Sequence, residues 1–230
     1  MRMSDVTSGW LASVASAFVL IMAAGSAGAV TIGDPAGDFL ATYAGPQDGD
    51  LDVTGITVEL TGPDTVRLIG EHAAAIGTTE GSSYVWGVDR GQGQEFLTFV
   101  DPPVGQGVTF DAVVALFADG TGFVLDLLAG TPPANLDPAA IDIEAGQISV
   151  TLSESLLPST GFDFDHYRYN LWPRYAPNGV DPEDNTQISD FAPDASTIAP
   201  VPIPATLGLQ LLGLGLLGSM VRGRRRRPST

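Results

Sequence analysis

The segment Ile56-Thr57-Val58-Glu59-Leu60-Thr61 sets Ile56, Val58 and Leu60 on one face and Thr57, Glu59 and Thr61 on the other. Side chains repeat every two residues only in an extended strand, so this alternation reads as a half-buried β-strand. The same period recurs on either side, at Thr65 to Glu71, Ser83 to Val88, Glu95 to Val100, Val108 to Phe117, Gly122 to Leu128, Ile141 to Ile143 and Gln147 to Leu152. About eight strands are expected, with no long 3.6-residue period among them. Gly91-Gln92-Gly93, Asp119-Gly120-Thr121-Gly122 and Ala145-Gly146 read as hairpin turns, where glycine reaches positive φ without steric cost. Adjacent strands are then antiparallel. Strands with one apolar face pair best as two sheets, so the expected fold class is all-β, an antiparallel β-sandwich or jelly-roll, with a barrel as the alternative. Ser153 is expected to cap a single helical turn that ends at Pro158.

Composition sets limits on function. The chain has 230 residues, no cysteine and a formal charge of -17, so disulfides, thiolate metal sites and cysteine nucleophiles are excluded. Five of the ten basic residues follow Val221 and Arg2 stands near the start, leaving Arg67, Arg90, Arg168 and Arg174 against all but one of the 27 acidic residues. So acidic a body repels phosphate backbones and points away from nucleic acid. It suits cations. No lysine is present for a P-loop, no Gly-x-Ser-x-Gly elbow occurs, and Gly91-Gln92-Gly93 lacks the third glycine of a dinucleotide cradle.

The two ends differ from the body. An apolar stretch from Trp10 to Ala24 follows Arg2, and Ala27-Gly28-Ala29 supplies the small residues that signal peptidase accepts. Residues 1–29 are read as a signal peptide cleaved after Ala29, the alternative being an uncut amino-terminal anchor. The expected sandwich domain covers 30–193, including an extended arm after Pro158, and 194–200 is read as a linker. Residues 201–230 hold Val201-Pro202-Ile203-Pro204-Ala205, an apolar run from Thr206 to Val221, and Arg222, Arg224, Arg225, Arg226 and Arg227.

A proline motif, one apolar segment and a terminal arginine cluster, in that order, resemble the carboxy-terminal sorting signal of exosortase substrates, the PEP-CTERM class. The similarity is to its Val-Pro-Leu-Pro-Ala variant, with Ile203 in place of leucine, and it covers about the last thirty residues. The sixteen residues from Thr206 to Val221 are expected to form a single transmembrane helix of ~24 Å, somewhat short of the ~30 Å hydrocarbon core but usable as a hold in the inner membrane. The arginines stop and orient it with the body outside. The resemblance implies recognition of Val201 to Ala205 by an exosortase, removal of the tail, and life at the surface of a Gram-negative cell, often with extracellular polysaccharide. Signal peptidase, exosortase and the inner membrane are the partners expected.

Within the body, Asp48-Gly49-Asp50-Leu51-Asp52, with Asp34 and Asp38 upstream, is the densest acidic stretch. Alternate carboxylates in a loop can converge on calcium, so Asp48, Asp50 and Asp52 are the candidate ligands, although the glycine of an EF-hand loop is replaced by Val53. Tyr84 and Trp86 share a strand face, and Trp172 lies among Tyr167, Tyr169, Tyr175, Arg168 and Arg174. Tyr84, Trp86 and Trp172 are the candidate platform for stacking sugars. The plainer reading places the tryptophans in the core with Arg174 paired to an acid. The leading expectation is a non-enzymatic matrix or binding module, with a carbohydrate-binding module as one alternative. A glycan-active hydrolase using Glu154, Asp163 or Asp165 is the other. His72 and His166 show no metal-ligand spacing and are read as structural or exposed.

Overall fold

The computed structural model describes residues 28–200. Most of the leader, and the whole motif, apolar run and arginine cluster of 201–230, lie outside the described residues. Among the described residues no helix is long and apolar enough to cross a membrane.

The body is all-β. Ten strands run β1 (Ala29–Gly33), β2 (Val53–Gly62), β3 (Thr65–His72), β4 (Ser82–Asp89), β5 (Ala112–Phe117), β6 (Gly122–Asp126), β7 (Ala134–Asn135), β8 (Ile141–Glu144), β9 (Gln147–Ser153) and β10 (Arg168–Tyr175). They form two antiparallel five-stranded sheets, ordered β1-β2-β3-β9-β8 and β10-β4-β5-β6-β7. Ile56, Val58 and Leu60 are buried as their alternation requires, while Thr57 and Glu59 are half-buried and Thr61 is exposed. Val66 and Leu68 of β3 and Ile148, Val150 and Leu152 of β9 continue that face. Trp86, Val88, Val114, Leu116, Tyr169 and Leu171 of the second sheet join them in one buried cluster. Removing this much apolar surface from water is the main force holding a chain without disulfides.

The second sheet is covered on its other face as well. Every residue of β4 is buried. Val85, Ala115 and Trp172 point outward and meet Leu97, Val104, Val108, Phe110, Ile188 and Phe191 in a separate cluster. This packing corrects one expected strand and shortens another. Glu95 to Val100 forms a 3-10 turn at Phe96–Phe99, while of Val108 to Phe117 only Ala112–Phe117 is strand: Val108 to Phe110 stays in the loop, where Phe110 bridges Gln94, and Asp111 joins the sheet through its N–H to the Val88 carbonyl at 2.9 Å. The apolar residues there bury against the sheet's outer surface, and a covering loop places them better than a paired strand. Gly91-Gln92-Gly93 is accordingly not a hairpin turn. The Gly91 and Gly93 N–H groups both donate to Asp89 Oδ1 at 2.9 Å, folding the start of this long loop back on the strand end.

The other two turns close hairpins, β5–β6 and β8–β9. In the second the left-handed residue is Ala145, with φ 45°, and Gly146 is needed for space, since a Cβ there would lie 2.7 Å from the His72 carbonyl oxygen. Ser153 caps the 3-10 turn Glu154–Leu156, as expected.

The carboxy-terminal arm runs back along β10. Ile188 bridges Arg174, Ala192 bridges Leu171, and Ile198 bridges Tyr169 through N–H···O bonds of 2.7 and 2.8 Å. The stretch 194–200, expected as a linker, is therefore docked, and its Ile198 is buried. At the other end Leu60 N–H donates to the Gly28 carbonyl at 2.8 Å, so a cut after Ala29 removes one sheet hydrogen bond.

Candidate functional site

The acidic stretch between β1 and β2 is where the structure departs furthest from the sequence pattern. Gly49–Leu51 is a 3-10 turn, and with three residues per turn, positions two apart point in different directions. Asp50 is fully buried and accepts from Thr79 N–H at 2.9 Å, Thr79 Oγ1 at 2.6 Å and the Tyr84 hydroxyl at 3.3 Å. Asp48 lies 3.2 Å from the same threonine hydroxyl. Asp52 instead accepts the Gly37 N–H at 2.9 and 3.1 Å. Asp48, Asp50 and Asp52 thus pin two different loops and do not converge on one ion. Beside Asp50 the buried His72 meets Tyr84 edge-on at 4.9 Å, and burial pushes its pKa down to about 4, so it is neutral.

The carboxylates that do converge are Asp34, Asp38 and Asp190, each placing an oxygen within 4.8 Å of the others. Three elements bring them together. Asp34 follows β1 and is fixed by its N–H to the Thr54 carbonyl at 2.9 Å. Asp38 stands just beyond it in the loop that Asp52 holds through Gly37. Asp190 comes from the arm, wholly buried, accepting Val53 N–H at 2.9 Å and Phe191 N–H at 2.7 Å. Asp34 Oδ2 and Asp38 Oδ1 are shut away from solvent with no hydrogen-bond partner.

Like charges in a desolvated place resist ionisation. Burial first, then Asp38, Asp194 and Asp52, push Asp34 up to about 7. Burial, with Asp34 and Asp38, pushes Asp190 up to about 8 against the pull of the two N–H groups. Burial also raises Asp52. Two states relieve such a cluster: shared protons, or a hard cation. An all-oxygen donor set with no histidine or thiolate suits calcium and not zinc. Nothing in the sequence around Asp190 marks it as a ligand, because only the docking of the arm on β10 brings it to the other two.

No family model, curated protein or solved structure matches this chain. The site is therefore read from its own geometry.

The proposed sugar platform does not survive the fold. Tyr84 and Trp86 do alternate on one face of β4, but it is the face turned to the common core, and both are 0 % exposed. Trp172 is 2 % exposed, packed against Phe110 at 5.1 Å and Phe191 at 5.9 Å. None of the three presents a ring to solvent. The plainer reading holds for both tryptophans, but not for Arg174, which has no carboxylate within ion-pair distance among the described residues. Glu154 sits in the capped 3-10 turn, and Asp163 and Asp165 flank Phe164 on an exposed turn where Asp165 meets the His166 ring at 2.7 Å.

Proposed function

We propose that the chain is an exported, non-enzymatic binding module of the Gram-negative cell surface or its matrix, a β-sandwich clamped by calcium at Asp34, Asp38 and Asp190. The observation that carries the clamp is the convergence of three carboxylates, two with buried unpartnered oxygens, from β1's exit, the following loop and the arm. One ion there ties the amino-terminal strand to the carboxy-terminal arm. Mutual packing of the two sheets through one core supports the sandwich.

Export rests on the sequence: the leader of 1–29, the Val201 to Ala205 motif, the apolar run and the five terminal arginines. In that reading signal peptidase removes the leader, the inner membrane holds the chain by Thr206 to Val221, and an exosortase removes the tail. Extracellular calcium is abundant enough for a site of modest affinity.

Saturating calcium is expected to raise the melting temperature of the mature protein above its value in chelator by about 5–10 °C, the shift that mass action gives at about a hundredfold excess over Kd. Asp38→Asn removes one ligand without touching a backbone hydrogen bond, and should abolish the increment. An equal melting temperature in calcium and chelator ends the proposal.

The pH response in chelator has a definite sign. Asp34 and Asp190 have folded pKa values raised above the unfolded value, so the folded state binds the extra protons and stability falls as pH rises from about 4 to about 8. Calcium should flatten that fall.

Sorting is tested by the intact mass of the mature protein from its host with and without the exosortase. Loss of 201–230, in whole or part, only when the enzyme is present supports it; a tail kept through Thr230 sinks it.

A further inference from the structure

The loop and the arm that cover the second sheet's outer face do not close over it. They leave a cavity of ≈ 910 Å³, the size of a small-molecule site. Its floor includes Val113 and Ala115 of β5, and its rim includes Phe99, which is 77 % exposed. An apolar hollow of this depth left to water is unfavourable, and such hollows mark binding surfaces.

Among its lining residues are three groups that donate hydrogen bonds and have not spent that capacity. Arg174 and Ser83 face each other across β10 and β4 in register, with Trp172 two residues along the same face. Ser83 Oγ and Trp172 Nε1 are both buried without a partner. Arg174 is 5 % exposed, yet the only hydrogen bonds of its guanidinium among the described residues run from Nη1 to the Asp181 carbonyl at 2.9 Å and to Gln187 Oε1 at 3.5 Å. Arg90, also buried, shows how this chain treats a structural arginine: it is paired with Asp111 at 2.7 Å and Asp126 at 2.9 Å. Asp184 and Asp181 act on Arg174 only from beyond ion-pair distance, and a buried guanidinium with no anion in contact is costly. What the cavity lacks is an acceptor carrying negative charge.

We infer that this cavity binds an amphipathic carboxylate, a fatty-acid-like molecule whose apolar chain lies over Val113 and Ala115 and whose carboxylate accepts from Arg174 and Ser83. The planar guanidinium offers paired N–H groups that match the two oxygens of a carboxylate, and the serine hydroxyl adds a third donor. Trp172 supplies the wall between head and chain. The segment Tyr169-Asn170-Leu171-Trp172-Pro173-Arg174 then has a division of labour: Leu171 faces the core, while Trp172 and Arg174 face the ligand. The loop over the cavity is held for this purpose by Asn185, fully buried, whose Nδ2 donates to the Leu97 and Pro102 carbonyls at 2.7 and 2.9 Å.

The assignment rests on the reading of the chain as a binding module but not on the calcium clamp, and the two are tested apart. The mature protein from its host, in chelator buffer, is titrated calorimetrically with dodecanoate, dodecanol and acetate. One dodecanoate should bind per chain, about tenfold or more tighter than dodecanol, with no measurable binding of acetate, because a charged hydrogen-bonded pair adds to the burial of the chain. Arg174→Gln should erase the preference over dodecanol. Val113→Trp should fill the floor and abolish binding while leaving Arg174 in place, so the test stands even if the arginine variant misfolds.

No binding of dodecanoate, equal binding of dodecanoate and dodecanol, or undiminished binding by Val113→Trp would each overturn the assignment. A dimer in solution that Val113→Trp dissolves would give the cavity to a second copy of the chain instead. The calcium melting experiment is unaffected by any of these outcomes, so failure of one reading is not failure of the other.

Discussion

Arg90→Ala is expected to lower the unfolding free energy by about 3–5 kcal/mol, the loss typical when one partner of a buried ion pair is removed. Arg90 follows β4 directly with its side chain out of solvent, and it ties three segments together. Nε donates to Asp111 Oδ1 at 2.7 Å, Nη1 to Asp126 Oδ2 at 2.9 Å and to the Pro158 carbonyl at 3.0 Å. Its own carbonyl accepts Phe162 N–H at 2.8 Å. Alanine leaves Asp111 wholly buried, supported by the Thr160 hydroxyl at 2.5 Å and the Gln92 N–H at 3.1 Å but with no counter-charge. Urea denaturation followed by tryptophan fluorescence reads the loss.

The double variant Arg90→Met with Asp111→Leu should recover much of the loss, since matched apolar residues can replace a buried pair. A loss below about 1 kcal/mol for the alanine variant would place the network among ordinary surface pairs and refute this account. The network also has an acid limit. Its hydrogen bond to Arg90 holds Asp126 down at about 2, so the stability it contributes is present above the unfolded carboxylate pKa and is lost as pH falls through about 2.

The strands of the common core were legible because their burial is one-sided: Ile56, Val58 and Leu60 face inward and their neighbours face water, and nothing competes with the period of two. Where both faces of a strand are covered the signal weakens, and the loop that does the covering imitates a strand, as Phe96 to Val100 shows. The short β1 gave no pattern of its own, since five residues at the sheet edge need only the β2 register to hold them. The acidic site divided in the same way. Asp34 and Asp38 belong to a local excess of carboxylates that a sequence displays, but the direction of each depends on backbone turns, which sent Asp50 toward Thr79 and Asp52 toward Gly37. Asp190 and the Arg90–Asp111–Asp126 network are products of long-range closure, with partners on separate elements and no spacing to betray them.

Trp86→Ala is expected to cost about 3–5 kcal/mol, the usual loss for a buried large aromatic, because the surrounding side chains relax only partly into the space. Trp86 pairs with Leu171 on one side and Val114 on the other, at the centre of β10-β4-β5, and is fully buried among residues of both sheets. Its Nε1 has no hydrogen-bond partner. The indole therefore serves by volume alone, and Trp86→Phe, which deletes an unsatisfied donor along with part of the ring, should cost far less, about 1 kcal/mol. Had Trp86 been a sugar platform, its removal would leave the melting temperature unchanged and abolish saccharide binding. The core position requires the reverse, a melting temperature lower by about 6–20 °C for the alanine variant, with most of it recovered by phenylalanine. The contrast between the two substitutions separates packing from hydrogen bonding at the same site.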